Sequence, residues 1–462
     1  VIAAIICSFV YVVAQIYGVG LITSRFTGLE FQIGVFVGLA GILVCSFLGG
    51  MRAVTWTQVA QYIILIIAYL IPVVWLSVKH TGNPIPQIAY GQALQGVAAK
   101  EKELNDPASV LGAAEASVRA LHKEKQLAAE EKVKALEAAM AAGTADVIVA
   151  EARAKLDTEL TELKAAPEPD AKKITAKEKE IKDLTGPDAL LKKLKKAADG
   201  AKKKAGPVPA HAAAFTGKGA EKKLMKEAEA SGVAPTAEAI EKAKAEDEAE
   251  ANKKRKNFLA LVLCLMVGTA ALPHILMRYY TTPSVREARQ SVFWSLFFIF
   301  LLYFTAPALA VLAKYEVYHN LVGTSFAALP AWVSNWSAVD AELMKIVDMN
   351  KDGLVQLAEI TIGGDLIVLA TPEIAGLPYV ISGLVAAGGL AAALSTADGL
   401  LLTIANALSH DVYYKMIDPN ASTMRRLSVS KALLLVVAII AASVAAMKPG
   451  DILFLVGAAF SL

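Results

Sequence analysis

The sequence predicts an all-α integral membrane protein, and three observations predict it. The 462-residue chain is 55% hydrophobic, with a mean hydropathy of +0.48, above the usual range for soluble domains. Its charge is segregated: residues 100–256 hold 32 of the 46 Lys and Arg and 29 of the 43 Asp and Glu. The rest of the chain carries too few charges to solvate a globular surface, and much of it falls into apolar runs of about 20 residues, the length that crosses a bilayer. The net charge of +3 sums a charged insert and a nearly uncharged membrane body, so it does not speak for nucleic acid.

The expected spans are Ile2–Ile22, Gln32–Gly50, Ala53–Val78, Phe258–Ile275, Val292–Leu312, Tyr379–Leu408 and Leu427–Ala446, and Ile452–Leu462 begins another. Arg52, then Arg278, Arg286 and Arg289, then Lys415, Arg425 and Arg426 fall in alternate short loops, which places those loops inside. The opposite short loops carry only Arg25 and Lys448. The long connections, about 79–257 and 313–378, then lie outside, since long loops translocate largely regardless of charge. The organisation reads as membrane helices over 1–95, an extramembrane insert over 96–256, membrane helices over 257–313, an external loop over 314–377, and membrane helices over 378–462. Val1 and Leu462 both lie within apolar runs, as in a fragment cut at both ends.

The insert is rich in Ala, Lys and Glu. Strong helix formers and Glu/Lys pairs at helical spacing predict helices up to about Ala166. Pro167, Pro169, Gly186, Pro187, Pro207 and Pro209 punctuate the rest of the insert and predict looser structure there. Solvated helices or a helical hairpin compete with a disordered polyampholyte. His122 and His211 are lone and expected to be solvated. Cys7, Cys45 and Cys264 lie in apolar runs without metal spacing, as packing residues do.

The segment Gly388–Asp411 carries the chemistry. Two adjacent hydroxyls, Ser395 and Thr396, sit mid-helix, followed by Asp398. An ionisable residue at membrane depth points to an ion or substrate path. Paired hydroxyl oxygens are hard ligands suited to small cations. The alternative is that both hydroxyls bond back to a helix carbonyl and Asp398 faces a wet cavity without a role.

The external loop holds a second signal. Asp348, Asn350, Asp352, Gly353 and Glu359 match D-x-[DN]-x-[DN]-G-x5-E, the EF-hand calcium loop. Asp348, Asn350 and Asp352 supply oxygens at alternate positions, Leu354 its carbonyl, and Glu359 both carboxylate oxygens; Gly353 permits the turn. VDAELMKIV and LAEITI are the candidate flanking helices. The alternative is a look-alike loop without metal, because there is no second loop to pair with.

GGMRAVTWTQVAQ (Gly49–Gln61), LPHILMRYYTTPSVREARQS (Leu272–Ser291) and LSTADGLLLTIANALSHD (Leu394–Asp411) resemble the sodium:solute symporter family, in the branch of bacterial acetate and monocarboxylate permeases. The resemblance covers nearly all of the chain outside 95–256. It implies part of a five-plus-five inverted-repeat bundle with a midplane site, from core helix 3 into core helix 10. It further implies Na⁺ as coupling ion, held by the Ala392 backbone and the Ser395 and Thr396 hydroxyls, with the other ligands from an absent core helix 1. It implies a multi-pass bacterial inner-membrane protein with 96–256 and 314–377 on the periplasmic side. A small carboxylate, the bilayer and a small membrane subunit are the partners it suggests.

One departure stands out. Many members of the family carry Trp-Thr-Asp where this chain has Trp56-Thr57-Gln58, and that Asp serves a second cation site in some. Here the acid is Asp398, so Asp398 and Gln58 form a candidate second cation or proton site; the alternative is that they never meet. His274, after Pro273, and Trp56 are weaker candidates for the solute path, with packing as the alternative. The expected function is sodium-coupled import of acetate or another short monocarboxylate. The competing class is a transporter-derived sensor with a signalling domain beyond Leu462. A mere membrane anchor leaves Ser395, Thr396 and Asp398 unexplained. No nucleophile–base pair or catalytic metal cluster marks an enzyme.

Overall fold

The computed structural model describes residues 1–166, 171–209, 217, 219–279, 281–340 and 343–461. His211, Pro167 and Pro169, and the side chains of Cys45 and Arg52, lie outside the described residues. The chain is almost wholly helical. In order the helices are α1 (Ile2–Thr27), α2 (Phe31–Thr81), α3 (Pro86–Leu104), α4 (Val110–Ala141), α5 (Ala145–Ala165), α6 (Ala171–Asp183), α7 (Pro187–Ala205), α8 (Ala220–Ser231) and α9 (Ala237–Ala271). They continue as α10 (Pro273–Tyr279), α11 (Val285–Asn320), α12 (Ala331–Ser337), α13 (Ile367–Ile374), α14 (Tyr379–Asn406), α15 (Thr423–Ala446) and α16 (Ile452–Ser461). Strands β1 (Met344–Ile346) and β2 (Ile360–Ile362) pair, and α14 runs on through Ile417 as a π-helix.

Among the described residues, five helical stretches are long and apolar enough to cross a bilayer: Ile2–Thr27, Val54–Thr81, Val285–Asn320, Tyr379–Ile417 and Thr423–Ala446. This is an all-α, multi-span integral membrane protein. Two expectations change. The spans Gln32–Gly50 and Ala53–Val78 lie in one continuous helix, α2. No proline interrupts the segment between them, so the dip in hydropathy at Met51 and Arg52 breaks nothing, and Arg52 is a helix residue. The span Phe258–Ile275 is also altered: α9 starts upstream in the charged insert and stops at Ala271, before Pro273. Pro273 has no N–H to continue the helix and instead takes the first position of α10.

The chain divides into two compact units. The first comprises Val1–Lys100, Ala210–Ile346 and Thr361–Leu462. Its centre is α14 packed against α1 and α2. Small residues bring the backbones close, as expected where lipid gives helices no hydrophobic reason to associate. A Cβ on Gly388 of α14 would lie 2.6 Å from the Ala68 Cβ of α2, so a larger residue would push these helices apart. Cys7 behaves as a packing residue and donates its thiol to the Ala459 carbonyl at 3.0 Å.

The second unit comprises Glu101–Pro209 and Val347–Ile360. Contrary to expectation, helix continues past Ala166, through α6 and α7. Leu136, Ala145, Leu156, Leu184 and Leu190 form a small buried cluster. Pro187 starts α7 instead of breaking it. His122 is not solvated. It is 7% exposed, and its Nε2 donates to the Ala358 carbonyl at 3.0 Å. Burial holds its pKa below the ordinary histidine value. Two turns earlier, the buried Glu115 accepts the Ala358 N–H at 3.0 Å. Burial pushes its carboxyl up, opposed by Arg119. The 347–360 segment thus folds onto α4. The helices expected around it do not form: Met344–Ile346 is strand, and Leu357–Glu359 is a single 3-10 turn leading into β2. The β-branched pair Ile360–Thr361 favours that extended exit.

Candidate functional site

The break at Pro273 builds the site. It lets α10 turn into the first unit, where α2, α9, α10, α11 and α14 line an open cavity of about 890 Å³. Thr55, Gln58, Gln61 and Tyr62 line it from α2, at spacings that share one helix face. His274 and Arg278 line it from α10, Ser291 and Ser295 from α11, and Ser395 and Thr396 from α14. These polar groups converge in a body whose helices are otherwise apolar.

The expected sodium ligands come together. Ser395 Oγ donates to the Ala392 carbonyl at 2.9 Å, and Thr396 Oγ1 donates to the same oxygen at 3.2 Å. Both hydroxyls therefore bond back to the helix, as serine and threonine commonly do. Their lone pairs stay available to a cation, because each donates its proton to Ala392.

The expected pair of Gln58 and Asp398 does not form. Gln58 Nε2 donates to the Ser395 carbonyl at 2.5 Å, and its Oε1 accepts from Arg278 Nη1. Its amide is engaged on both sides. Asp398 is completely buried, and its Oδ1 accepts from Ser46 Oγ of α2 at 2.5 Å. Its Oδ2 is buried without a hydrogen-bond partner. The α14 acid has its own α2 hydroxyl, and the α2 amide has its own cation.

His274 is 7% exposed and lines the cavity, with Nδ1 unpartnered. Trp56 is 71% exposed and is not among the residues that line the cavity. Thr55 and Gln58 take the inward positions there. The sequence reads Arg278 as a loop charge, yet it sits on α10 inside the site. Its i,i+4 spacing from His274 is the signal that could have found it.

In the second unit, the 348–359 loop adopts a tight turn. Lys351 and Gly353 have φ values of 60° and 75°, the left-handed region that favours glycine. Asp348 Oδ2 accepts the Gly353 N–H at 3.1 Å, Asn350 Oδ1 the Asp352 N–H at 3.2 Å, and Asp352 Oδ1 the Leu354 N–H at 2.8 Å. Glu359 accepts from the Met349 and Gln356 N–H groups. Asp348 Oδ1 is buried without a partner. Burial pushes the Glu359 carboxyl up, against its two backbone hydrogen bonds. Among the described residues no three His, Cys, Asp or Glu side chains converge as a metal cluster. The backbone turn fits the calcium-loop spacing, while the carboxylates still face backbone amides.

The profile of the Sodium:solute symporter family matches residues 1–113, 211–348 and 361–462. The stretches it leaves out, 114–210 and 349–360, nearly coincide with the second unit. An "Uncharacterized symporter" of Cupriavidus necator is 48% identical over 466 aligned residues, covering 100% of this chain and 62% of the relative. The chain thus spans less than two thirds of that relative's length. No solved structure matches it. With the profile covering most of the chain, including α14 and the α2 and α10 cavity walls, the chain belongs to the sodium:solute symporter family.

Proposed function

We propose that the protein is a sodium-coupled symporter that imports a small solute, acetate or another short monocarboxylate. The observation that carries this is that Ser395 and Thr396, both bonded to the Ala392 carbonyl, line a cavity in the membrane body together with the polar side chains of α2 and α10. Na⁺ would be held by those three oxygens. Asp398, with Ser46, would serve a second cation or a proton, and His274 would line the solute path. Cation binding biases an outward-open state, and solute binding then permits rocking of the bundle. A relative named as a symporter favours transport over a sensor. The setting is a bacterial inner membrane, with both long connections outside. Uptake of ¹⁴C-acetate into proteoliposomes tests the reading. An inward sodium gradient should drive accumulation, and an equal potassium gradient should not. If sodium drives uptake of none of acetate, propionate and pyruvate, the reading fails.

A second proposal concerns Ca²⁺ at the 348–359 loop, favoured by the buried, unpartnered Asp348 Oδ1. Asp348, Asn350, Asp352, the Leu354 carbonyl and Glu359 would hold the ion. It would brace the loop against α4, and would not gate transport. Affinity should be that of an extracellular module, roughly 10⁻⁴–10⁻³ M. Because the loop folds with Glu115 and His122, titration calorimetry should use the whole detergent-solubilised protein. Binding should vanish in Asp348→Ala with Glu359→Gln. It should also weaken as pH falls: metal ligands must be deprotonated, and the raised Glu359 pKa brings proton competition in at higher pH than for an ordinary glutamate. Absence of calcium heat from the wild-type protein would leave only a look-alike loop.

A further inference from the structure

We propose that Arg278 is the anchor for the solute's carboxylate, which makes the cavity a seat for a monoanion. This rests on the symport reading for its setting, and on the cavity itself for its chemistry. Arg278 is half-buried, and its two hydrogen bonds go to neutral groups: Nη1 to Gln58 Oε1, and Nε to the His274 carbonyl at 3.3 Å. Among the described residues it forms no ion pair, and the cavity lining contains no Asp or Glu. Asp398, the buried acid of α14, is turned to Ser46 instead.

A neutral amide satisfies a hydrogen bond but leaves the charge uncompensated, which is costly away from water. A carboxylate entering the cavity would supply the missing charge, and the guanidinium fork suits its two oxygens. Neutral polar groups stand ready beside it. Gln61 Oε1, Tyr62 OH and His274 Nδ1 are buried, unpartnered and on the cavity wall. Gln61 Oε1 can accept from a solute hydroxyl, and Tyr62 OH can donate to a hydroxyl or keto oxygen further along the solute. With one guanidinium and, among the described residues, no second fixed cation in the lining, a dicarboxylate would keep one charge uncompensated. Gln58 links this anchor to the cation site, because the same amide that holds Arg278 also donates to the Ser395 carbonyl.

The test is binding of ¹⁴C-acetate to the purified protein in sodium, with propionate, pyruvate, succinate and acetamide as competitors. Wild-type protein should prefer the monocarboxylates strongly over acetamide and succinate. Arg278→Gln should weaken acetate binding about 10–100-fold, the range for loss of a charge-assisted contact, and collapse the preference for acetate over acetamide. Arg278→Lys should keep part of that preference, which a packing role for the side chain would not produce. Gln58→Asp leaves the guanidinium in place but neutralises it, so it should weaken acetate comparably. Gel filtration checks that each variant is folded. Unchanged affinity in Arg278→Gln, equal wild-type competition by acetamide and acetate, or unchanged affinity in Gln58→Asp would each overturn the proposal. Sodium-driven uptake of a neutral solute alone would overturn it while leaving symport intact. Arg278-dependent acetate binding without any sodium-driven uptake would support the anchor and defeat the symport reading.

Discussion

Asp398→Asn should abolish or strongly weaken sodium-driven uptake if the buried carboxylate serves a cation or a proton, the default reading of an intramembrane acid. The carboxylate is fully buried between α14 and α2. One oxygen is bonded to Ser46 and the other has no partner. An isolated charge cannot stay there uncompensated, so it must take a cation or a proton at some step of the cycle. Asparagine keeps the size and can keep the Ser46 hydrogen bond, so the substitution removes charge more than shape. Initial rates measured between about pH 5.5 and 8 should lose their pH dependence in the variant, since the proton competitor is gone. The structure also decides a companion experiment. Combining Gln58→Asp with Asp398→Ser restores the commoner family arrangement, but a carboxylate introduced at position 58 would meet Arg278. That double variant should therefore remain inactive. Normal transport by Asp398→Asn at every pH would reduce Asp398 to a packing residue.

The parts of this molecule legible in its sequence are those set by local properties. Hydropathy over about 20 residues identifies the membrane class and most of the spans, because the bilayer imposes that length on each segment separately. Adjacency of Ser395 and Thr396, one turn after Ala392, is enough to bring their oxygens together, because helix geometry alone does so. Partner choice is not legible. Asp398 with Ser46, and Gln58 with Arg278, join residues hundreds of positions apart, and a plausible pairing of Asp398 with Gln58 loses to a guanidinium that hydropathy counts as a loop charge. His122 reads as solvated because its acceptor, Ala358, lies 236 residues away. The second unit's helices past Ala166 escape a compositional reading because a few leucines, Leu184 and Leu190 among them, suffice for a small core where alanine dominates the count.

Ser395→Ala and Thr396→Ala should each raise the sodium concentration for half-maximal uptake severalfold. The two hydroxyls donate to one carbonyl, Ala392 O, at 2.9 and 3.2 Å, so their oxygens are held on the same turn. That commits both protons and leaves lone pairs for a cation that prefers hard oxygen ligands. Removing one hydroxyl deletes one ligand and leaves the other and the carbonyl in place. A loss of about 1 kcal/mol, ordinary for one polar contact, is a shift of about fivefold in the sodium requirement. Neither change should alter the fold, because alanine is the best helix former and each hydroxyl bonds back to its own helix. Thr396→Ser keeps the oxygen and should stay near wild type, which separates a ligand from a β-branched packing group. Uptake rates across a sodium series decide the matter. Since the back-bond to Ala392 is also what a serine or threonine without any ligand would make, only the sodium requirement distinguishes the two cases. If neither alanine variant changes it, the hydroxyls are satisfied helix residues and the coupling ion binds elsewhere.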